Sequence, residues 1–204
     1  MHLLKKGYLP QRIKQCMKNM VFNQNKGQIE LVTGFFLVLF LAILLGVQLQ
    51  LEAYRVASLY LEDALAASNL ASAVIDLEEY GISHTIQIAD PMDAYDRYCT
   101  ALQANLHLDN EWMGQNKTLL SGGVTVVKYL IYNVKGDVVT IYCINESGYM
   151  TEWTASMGSV VAPDGTCIEA TSIYSEIAFP IEGFLGLTAH AQKGKLVDIV
   201  ANVD

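Results

Sequence analysis

The sequence predicts an α+β protein in which a long N-terminal transmembrane helix extends into a small domain with a mostly antiparallel sheet. Residues 31–51 form one apolar run without a charged side chain. Residues 52–80 contain neither Gly nor Pro, and the chain from Gly122 onward is rich in β-branched and aromatic residues. A helix that covers one face of an antiparallel sheet gives a two-layer arrangement, which is the fold class that we expect.

The apolar run reads LVTGFFLVLFLAILLGVQLQL and has 21 residues. As a helix it would be about 31 Å long, which matches a bilayer core about 30 Å thick. A buried helix of a soluble protein would show a polar stripe. The alternative is a cleaved secretory signal, with a shorter apolar core and a nearby Ala-x-Ala site. The first such site, Ala64 to Ala66, lies well beyond the run, so we expect residues 30–51 to be a transmembrane helix.

Charge is divided unevenly along the chain. Residues 1–29 form a leader with six basic side chains and no acidic one, whereas residues 52–204 carry seven basic and 20 acidic side chains, a net charge of −13. Basic flanks of a membrane helix stay in the cytoplasm. We therefore expect a single-pass protein of the cell membrane with a cytoplasmic leader and an extracytoplasmic domain at 52–204. The acidic domain also argues against nucleic acid as a partner.

The helix is expected to continue beyond the membrane. Residues 52–80 are mostly good helix formers, and Gly81 stands where a C-cap glycine belongs. We therefore predict one helix from Glu30 to Tyr80. Six of its residues are expected to face a packed domain: Tyr54, Leu61, Leu65, Leu70, Val74 and Leu77.

A second helix is predicted at 91–106, with Asp90 as its cap and Pro91 in its first position. The segments VTVVKYLIYNV and DVVTIYCI flank Lys135-Gly136-Asp137 and predict a β-hairpin. Shorter strands are expected at 149–155 and 158–162, followed by a turn at Ala162-Pro163-Asp164-Gly165. Further strands are predicted at 172–179, with Ile173, Ser175, Ile177 and Phe179 on one face, and at 195–200.

The sequence contains no recognisable catalytic constellation. Asp76, Glu78 and Glu79 are expected to form a solvated helix face rather than a general acid–base pair. Three histidines lie far apart and lack a spaced metal ligand: His84, His107 and His190. Phosphate-binding loops and nucleophile elbows are absent from the sequence. We therefore predict no enzymatic activity, no cofactor and no metal site.

Three cysteines fall in the predicted extracytoplasmic domain, where disulfides persist. Cys143 and Cys167 lie 24 residues apart in the strand-rich part and are the candidate disulfide pair. Such a bridge would stabilise the fold by about 3 kcal/mol. Cys99, on the predicted second helix, is expected to stay free and mostly buried. Cys-x-x-Cys spacing, which would indicate a zinc or redox motif, does not occur.

The most informative motif stands immediately before the apolar run and reads Lys26-Gly27-Gln28-Ile29-Glu30. A carboxylate at the membrane edge is costly unless it is paired or reaches the headgroup layer, although a helix N-terminus favours it. A basic leader, a Gly, a nearby Glu, an apolar run, a long helix and a C-terminal sheet together resemble the type IV pilin superfamily. More narrowly, they resemble the TadE-like pseudopilins of tight-adherence (Flp-type) pili.

The resemblance implies that a prepilin peptidase cuts after Gly27, so that the mature chain begins at Gln28. It also implies that Glu30 neutralises the new N-terminal amine of a neighbouring subunit. The pattern differs in two respects, since Glu30 is third after Gly27 where the family glutamate is usually fifth, and Gln28 replaces the usual aromatic residue or Met. The implied partners are membrane lipid, other pilin-like subunits that pack against the N-terminal helix, and the peptidase.

Two functions therefore remain open. The first is a minor pilin or pseudopilin that serves the assembly of a pilus or a secretion apparatus. The alternative is a membrane-anchored extracytoplasmic binding or sensor domain that belongs to no filament. An intact leader in the mature protein would favour the alternative.

Overall fold

The computed structural model describes the backbone of residues 11–115, 120, 122–182 and 188–199, and the side chains of residues 28–115, 120, 122–181 and 190–199. The helices are α1 (Gln11–Ser72), α2 (Leu77–Ser83) and α3 (Pro91–Leu106). The strands are β1 (Thr125–Lys135), β2 (Val138–Asn145), β3 (Met150–Ser156), β4 (Ser172–Glu182) and β5 (Thr188–Asp198). The chain divides into two units, Met1–Leu51 and Glu52–Asp204.

The five strands form one antiparallel sheet in the order β3-β2-β1-β4-β5. Strands that follow each other in the chain are paired, with one exception. β4 does not pair with β3 but with β1, at the centre of the sheet. The second unit also contains the end of α1, together with α2 and α3. The predicted α+β class, a long apolar helix leading into a small antiparallel sheet domain, is confirmed.

Helix α1 ends at Ser72, so the prediction of a continuous helix to Tyr80 is wrong. After Ser72 the backbone is held by pairing instead of by helical hydrogen bonds. The Asp76 N–H donates to the Gln87 carbonyl at 2.8 Å, and Ile75 forms an antiparallel bridge with Ile88. Good local helix propensity is overridden here by a tertiary partner, as is common.

A short second helix, α2, follows the break. Asp76 is its N-cap and accepts hydrogen bonds from the N–H groups of Glu78 and Glu79, each at 3.0 Å. Gly81 lies inside α2, and the left-handed C-cap is His84 with φ of 53°. The prediction that Gly81 caps the helix is therefore wrong.

The break also changes which side chains reach the core. Leu61 and Leu65 are buried as predicted, with 2% and 0% exposure. Three residues that were expected to pack are exposed instead: Leu70, Val74 and Leu77. The amphipathic pattern holds only for the part of α1 that packs on the sheet.

Helix α3 has the predicted bounds, because its start is encoded locally. Asp90 accepts hydrogen bonds from the N–H groups of Met92 and Asp93 at 2.9 and 3.1 Å, and Pro91 occupies the first turn. One face of the helix is buried in the core: Ala94, Tyr98, Leu102 and Leu106.

The β1–β2 hairpin is also as predicted, with Gly136 at φ of 58° between the paired residues Lys135 and Val138. A positive φ at this position suits glycine. Ile173, Ser175 and Ile177 lie on one face of β4 as expected, and each is fully buried. β3 lies where the first short strand was expected, and the turn at Ala162–Gly165 forms with a 2.9 Å hydrogen bond.

Two strand predictions need correction. Residues 158–162 form no strand and contribute only a bridge between Val161 and Cys167. The last strand spans Thr188–Asp198, so it begins earlier and ends sooner than the predicted 195–200. Gly194 in the middle of this strand conceals it from sequence analysis, since glycine is depleted in strands.

The sheet has a core on both faces. One face packs against α1 and α3, and its centre includes Tyr129, Ile131 and Ile177. The other face carries a smaller core that the loop after β3 covers: Leu130, Tyr132, Val139, Ile141, Val160, Ala162, Ile168 and Tyr174. Residues 158–162 therefore contribute to the fold by packing rather than by strand pairing.

Candidate functional site

The apolar run of α1 is exposed along its length. Leu31, Phe40 and Leu49 expose 75%, 60% and 65% of their surface. Among the described residues, one helix is long and apolar enough to cross a membrane, with an 18-residue stretch whose mean hydropathy is 2.5. The helix is consistent with a single-pass membrane-anchored protein.

The residues expected to act in processing and assembly lie in one helical stretch. Gln28 and Glu30 are exposed, and none of the described side chains forms a hydrogen bond or an ion pair with Glu30. Gly27 has helical backbone, but its surroundings lie outside the described side chains.

The acidic and histidine side chains take structural positions. Asp76 caps α2 instead of lying on a solvated helix face, whereas Glu79 pairs with Lys135 at 2.8 Å. The hydrogen bond from Lys135 holds the pKa of Glu79 below its ordinary value. His84 and His107 are left-handed C-caps of α2 and α3. Among the described residues, no group of three His, Cys, Asp or Glu side chains is placed to hold a metal ion.

The three domain cysteines are free thiols. The bridge expected between Cys143 and Cys167 is not formed, and the two residues differ in environment. Cys143 is half-buried on β2, whereas Cys167 is exposed beside Val161. Burial raises the pKa of the Cys99 thiol, and a raised pKa lowers the fraction of reactive thiolate.

A groove opens on the second face of the sheet, between the strands and the loop after β3. Its volume is about 540 Å³. Its wall is mainly apolar and aromatic, and Lys128 is the one cationic side chain among the residues that line it. The lining residues are Lys128, Leu130, Tyr132, Ile141, Cys143, Trp153, Ala155, Ser159, Val160, Val161 and Pro163. Trp153 is 46% exposed. An apolar concavity with few polar groups is the usual form of a ligand site.

A polar seam lies where α1 meets the sheet, and sequence analysis missed it. The seam consists of Ser68, Asn69 and Ser72 on α1, Tyr98 on α3, and Tyr129 and Ser175 on the sheet; each is fully buried. The Asn69 Nδ2 donates to the carbonyls of Lys195 and Ile173 at 3.0 and 3.4 Å. The sequence did contain a signal for the seam. Leu61, Leu65, Ser68 and Ser72 recur at helical intervals, so the two serines lie on the same face of α1 as the two buried leucines.

An ion cluster joins the same helix to the edge strand β5. Glu62 accepts from Lys195 at 2.8 Å and lies 3.2 Å from Lys193, which also donates to Ser58 at 3.2 Å. Hydrogen bonds from Lys195 and then Lys193 hold the pKa of Glu62 below its ordinary value. The cluster therefore attaches α1 to β5 at the edge of the sheet, through polar contacts that lie outside the apolar core.

Comparison with protein-family models, curated proteins and solved structures finds no match to this chain.

Proposed function

We propose that this chain is a single-pass, membrane-anchored pilin-like subunit, a minor pilin or pseudopilin, that serves the assembly of a pilus or a secretion apparatus. The observation that carries the proposal is the surface of α1 beyond Glu30. An exposed apolar helix follows a Gly and a lone Glu, and the chain then enters an antiparallel sheet domain. This order of parts is the one that the resemblance to the type IV pilin superfamily implies.

The proposed mechanism begins with processing between Gly27 and Gln28 by a prepilin peptidase. Cutting would create an amine two residues before Glu30, at the edge of the bilayer. A charge placed in the membrane without a partner is costly, by about 2.5–3.5 kcal/mol at the bilayer centre and less near its edge. Pairing of the Glu30 carboxylate with the amine of a neighbouring subunit would relieve both charges while the apolar helices pack together.

The orientation belongs to the same proposal. The basic leader stays in the cytoplasm, and the acidic domain lies outside the cell membrane, because basic flanks are retained on the inner side. No catalytic step is assigned to the domain, and its role is to take part in assembly through contacts with other subunits.

The alternative function is an anchored extracytoplasmic binding or sensor domain. The groove of about 540 Å³ beside Trp153 favours it, because an apolar concavity with few polar groups is the usual form of a ligand site. This alternative function requires that the leader is not cleaved and that the groove is accessible to a ligand.

Processing of the full chain separates the two functions. Gly27→Leu should block cutting, and the protein should accumulate about 3 kDa heavier, the share of 27 residues in a chain of 204 residues and 22.5 kDa. Gly34→Leu is the matched control, since nothing lies within 4 Å of the Cβ position there. Intact mass of the membrane-extracted protein gives the readout. Equal masses for wild type and Gly27→Leu would reject processing.

Recruitment tests the role of the carboxylate. Glu30→Ala should leave the anchor in the membrane, because it makes the helix more apolar, yet it should abolish recovery of partner subunits. Glu30→Asp keeps the charge and should retain part of the recovery. Wild-type recovery with Glu30→Ala would contradict the pilin-like mechanism and favour the anchored binding domain.

A further inference from the structure

The groove on the second face of the sheet has one charged side chain among the described residues that line it, that of Lys128. The domain as a whole is different, since residues 52–204 carry 20 acidic side chains and only seven basic ones. Within the part of the chain that the structure describes, the Lys128 amine forms neither an ion pair nor a hydrogen bond. The groove is therefore a positively charged apolar concavity in an acidic domain.

A β-bulge in β1 decides on which face of the sheet Lys128 lies. Val126 and Tyr129 both belong to the core that packs against α1 and α3, although they are three residues apart. In a regular strand, residues three apart lie on opposite faces. The pairing of β1 with β4 shifts by one residue between Val126 and Lys128, and this shift reverses the alternation. Without the bulge, Lys128 would share the helix-covered face with Val126, whereas with it Lys128 lines the groove.

The cation and the aromatic part of the wall lie at different ends of the groove. Lys128 and Tyr132 are four residues apart on β1, which corresponds to about 13 Å along the strand. Tyr132 pairs with Ile141, and Ile141 pairs with Trp153 on the next strand, so these three residues form one row across the sheet. A ligand that fills the groove is therefore elongated, with an apolar body at the Trp153 end and a negative charge at the Lys128 end.

The acidic side chains nearest to the groove take part in other interactions. Glu176 lies opposite Lys128 on β4, but its charge acts on the neighbouring Tyr174, where it adds to burial in raising the pKa of that hydroxyl. Asp164 accepts a hydrogen bond from the Thr166 N–H at 3.0 Å within the turn. Neither carboxylate forms an ion pair with Lys128, so the amine is available to an anionic ligand.

We propose that the groove binds an elongated organic monoanion whose apolar body packs against Trp153 and whose carboxylate pairs with Lys128. The volume of about 540 Å³ lies within the usual range for small-molecule sites. Aromatic side chains offer a large contact surface to the body, and an ammonium in apolar surroundings forms a strong charge-assisted hydrogen bond with a carboxylate. The site belongs to the domain and does not depend on cleavage at Gly27, so it goes beyond the pilin-like function.

Fluorine NMR of the full chain in lipid nanodiscs, labelled with fluorotryptophan, tests the proposal. The chain has two tryptophans, and Trp112 packs against the other core, so its resonance is an internal control for Trp153. The probe is para-phenylbenzoate, and para-phenylbenzamide is its neutral counterpart. The benzoate should shift the Trp153 resonance saturably and leave that of Trp112 unchanged. The benzamide should bind at least about tenfold more weakly, because it lacks the charge.

Variants on β1 test the role of the amine. Lys128→Met should weaken benzoate binding about tenfold and leave benzamide binding unchanged. Lys135→Met is the matched control, because Lys135 lies on the same strand but pairs with Glu79 outside the groove, and it should not alter the affinity for either probe. If Lys128→Met does not fold, the comparison of the two probes on wild type decides alone. The absence of a saturable Trp153 shift, equal affinities for benzoate and benzamide, or an unchanged benzoate affinity in folded Lys128→Met would overturn the proposal.

Discussion

The side-chain amide of Asn133 forms two hydrogen bonds with the backbone of Ile88. Its Oδ1 accepts from the Ile88 N–H at 2.9 Å, and its Nδ2 donates to the Ile88 carbonyl at 3.0 Å. Thr171 holds the adjacent carbonyl of Ile86 in a similar way, at 2.6 Å. The segment before α3 is thus attached to the sheet by side chains that replace a strand partner.

Replacement of Asn133 should destabilise the domain strongly. Asn133→Leu leaves the N–H and carbonyl of Ile88 buried without partners, and each such group costs about 1–3 kcal/mol. We expect a loss of roughly 2–4 kcal/mol in the free energy of unfolding, measured by urea denaturation. Asn133→Asp keeps the acceptor but not the donor and should be intermediate. A loss below about 0.5 kcal/mol for Asn133→Leu, the range of neutral surface changes, would contradict this account.

Gly194 and Tyr174 pack so closely that a Cβ at residue 194 would overlap the Tyr174 hydroxyl and ring. Gly194→Ala should therefore lower the free energy of unfolding by about 1–3 kcal/mol through overpacking. A smaller side chain in Tyr174→Leu should make the same Gly194→Ala change less costly when the two are combined. Equal costs in the two backgrounds, measured in one double-mutant cycle, would show that the overlap is not the cause.

Gly81 offers the opposite case. It lies inside α2 with nothing within 4 Å of its Cβ position and without a left-handed backbone. Gly81→Ala should stabilise the protein by about 0.5–1 kcal/mol, because alanine loses less entropy than glycine in a helix. The shift in thermal midpoint measures it. A destabilising result would mean that Gly81 ends a helix after all.

The Glu62 cluster should make stability depend on pH. The pKa of Glu62 in the folded protein lies below its ordinary value of 4.5, so its stabilising contribution is present above that value. The contribution disappears as the pH falls through the folded-state pKa. It should be below about 1 kcal/mol, because the side chains are about one third exposed and screened by solvent.

Comparison with Glu62→Gln isolates this effect. Wild type should be more stable than the variant at neutral pH, and the difference should shrink as the pH drops below 4.5. Lys195→Gln removes the main donor and should reduce the difference at neutral pH. If the difference in the free energy of unfolding between wild type and Glu62→Gln stays constant from neutral pH to below 4.5, the ionisation of Glu62 is not its source.

Cysteine labelling can test the orientation. Cys167 is exposed in the domain, whereas Cys16 belongs to the leader. After reduction, a membrane-impermeant maleimide should label wild type in intact cells and should label Cys167→Ser much less, since Cys99 and Cys143 are half-buried. Permeabilised cells that carry the Gly27→Leu variant, which should keep the leader, control for access to Cys16. Labelling of Cys167 only after permeabilisation would reverse the proposed topology.

The sequence by itself determined the features whose causes are local. The uncharged run at 31–51 predicts an exposed apolar helix, and Asp90 with Pro91 places the start of α3. Gly136 likewise locates the first hairpin, because a tight turn needs its positive φ. These signals lie within a few residues of the element that they define.

Only the tertiary structure decided the end of α1. Residues 73–80 favour a helix locally, but Ile75 bridges Ile88, and the backbone of Ile88 is in turn held by Asn133 from the distant strand β1. The buried hydroxyls of Ser72 and Tyr129, 2.7 Å apart, likewise join α1 to a strand that lies far from it in sequence. Both features depend on satisfying buried polar groups across long sequence separations, and the local pattern of residues does not identify the distant partner.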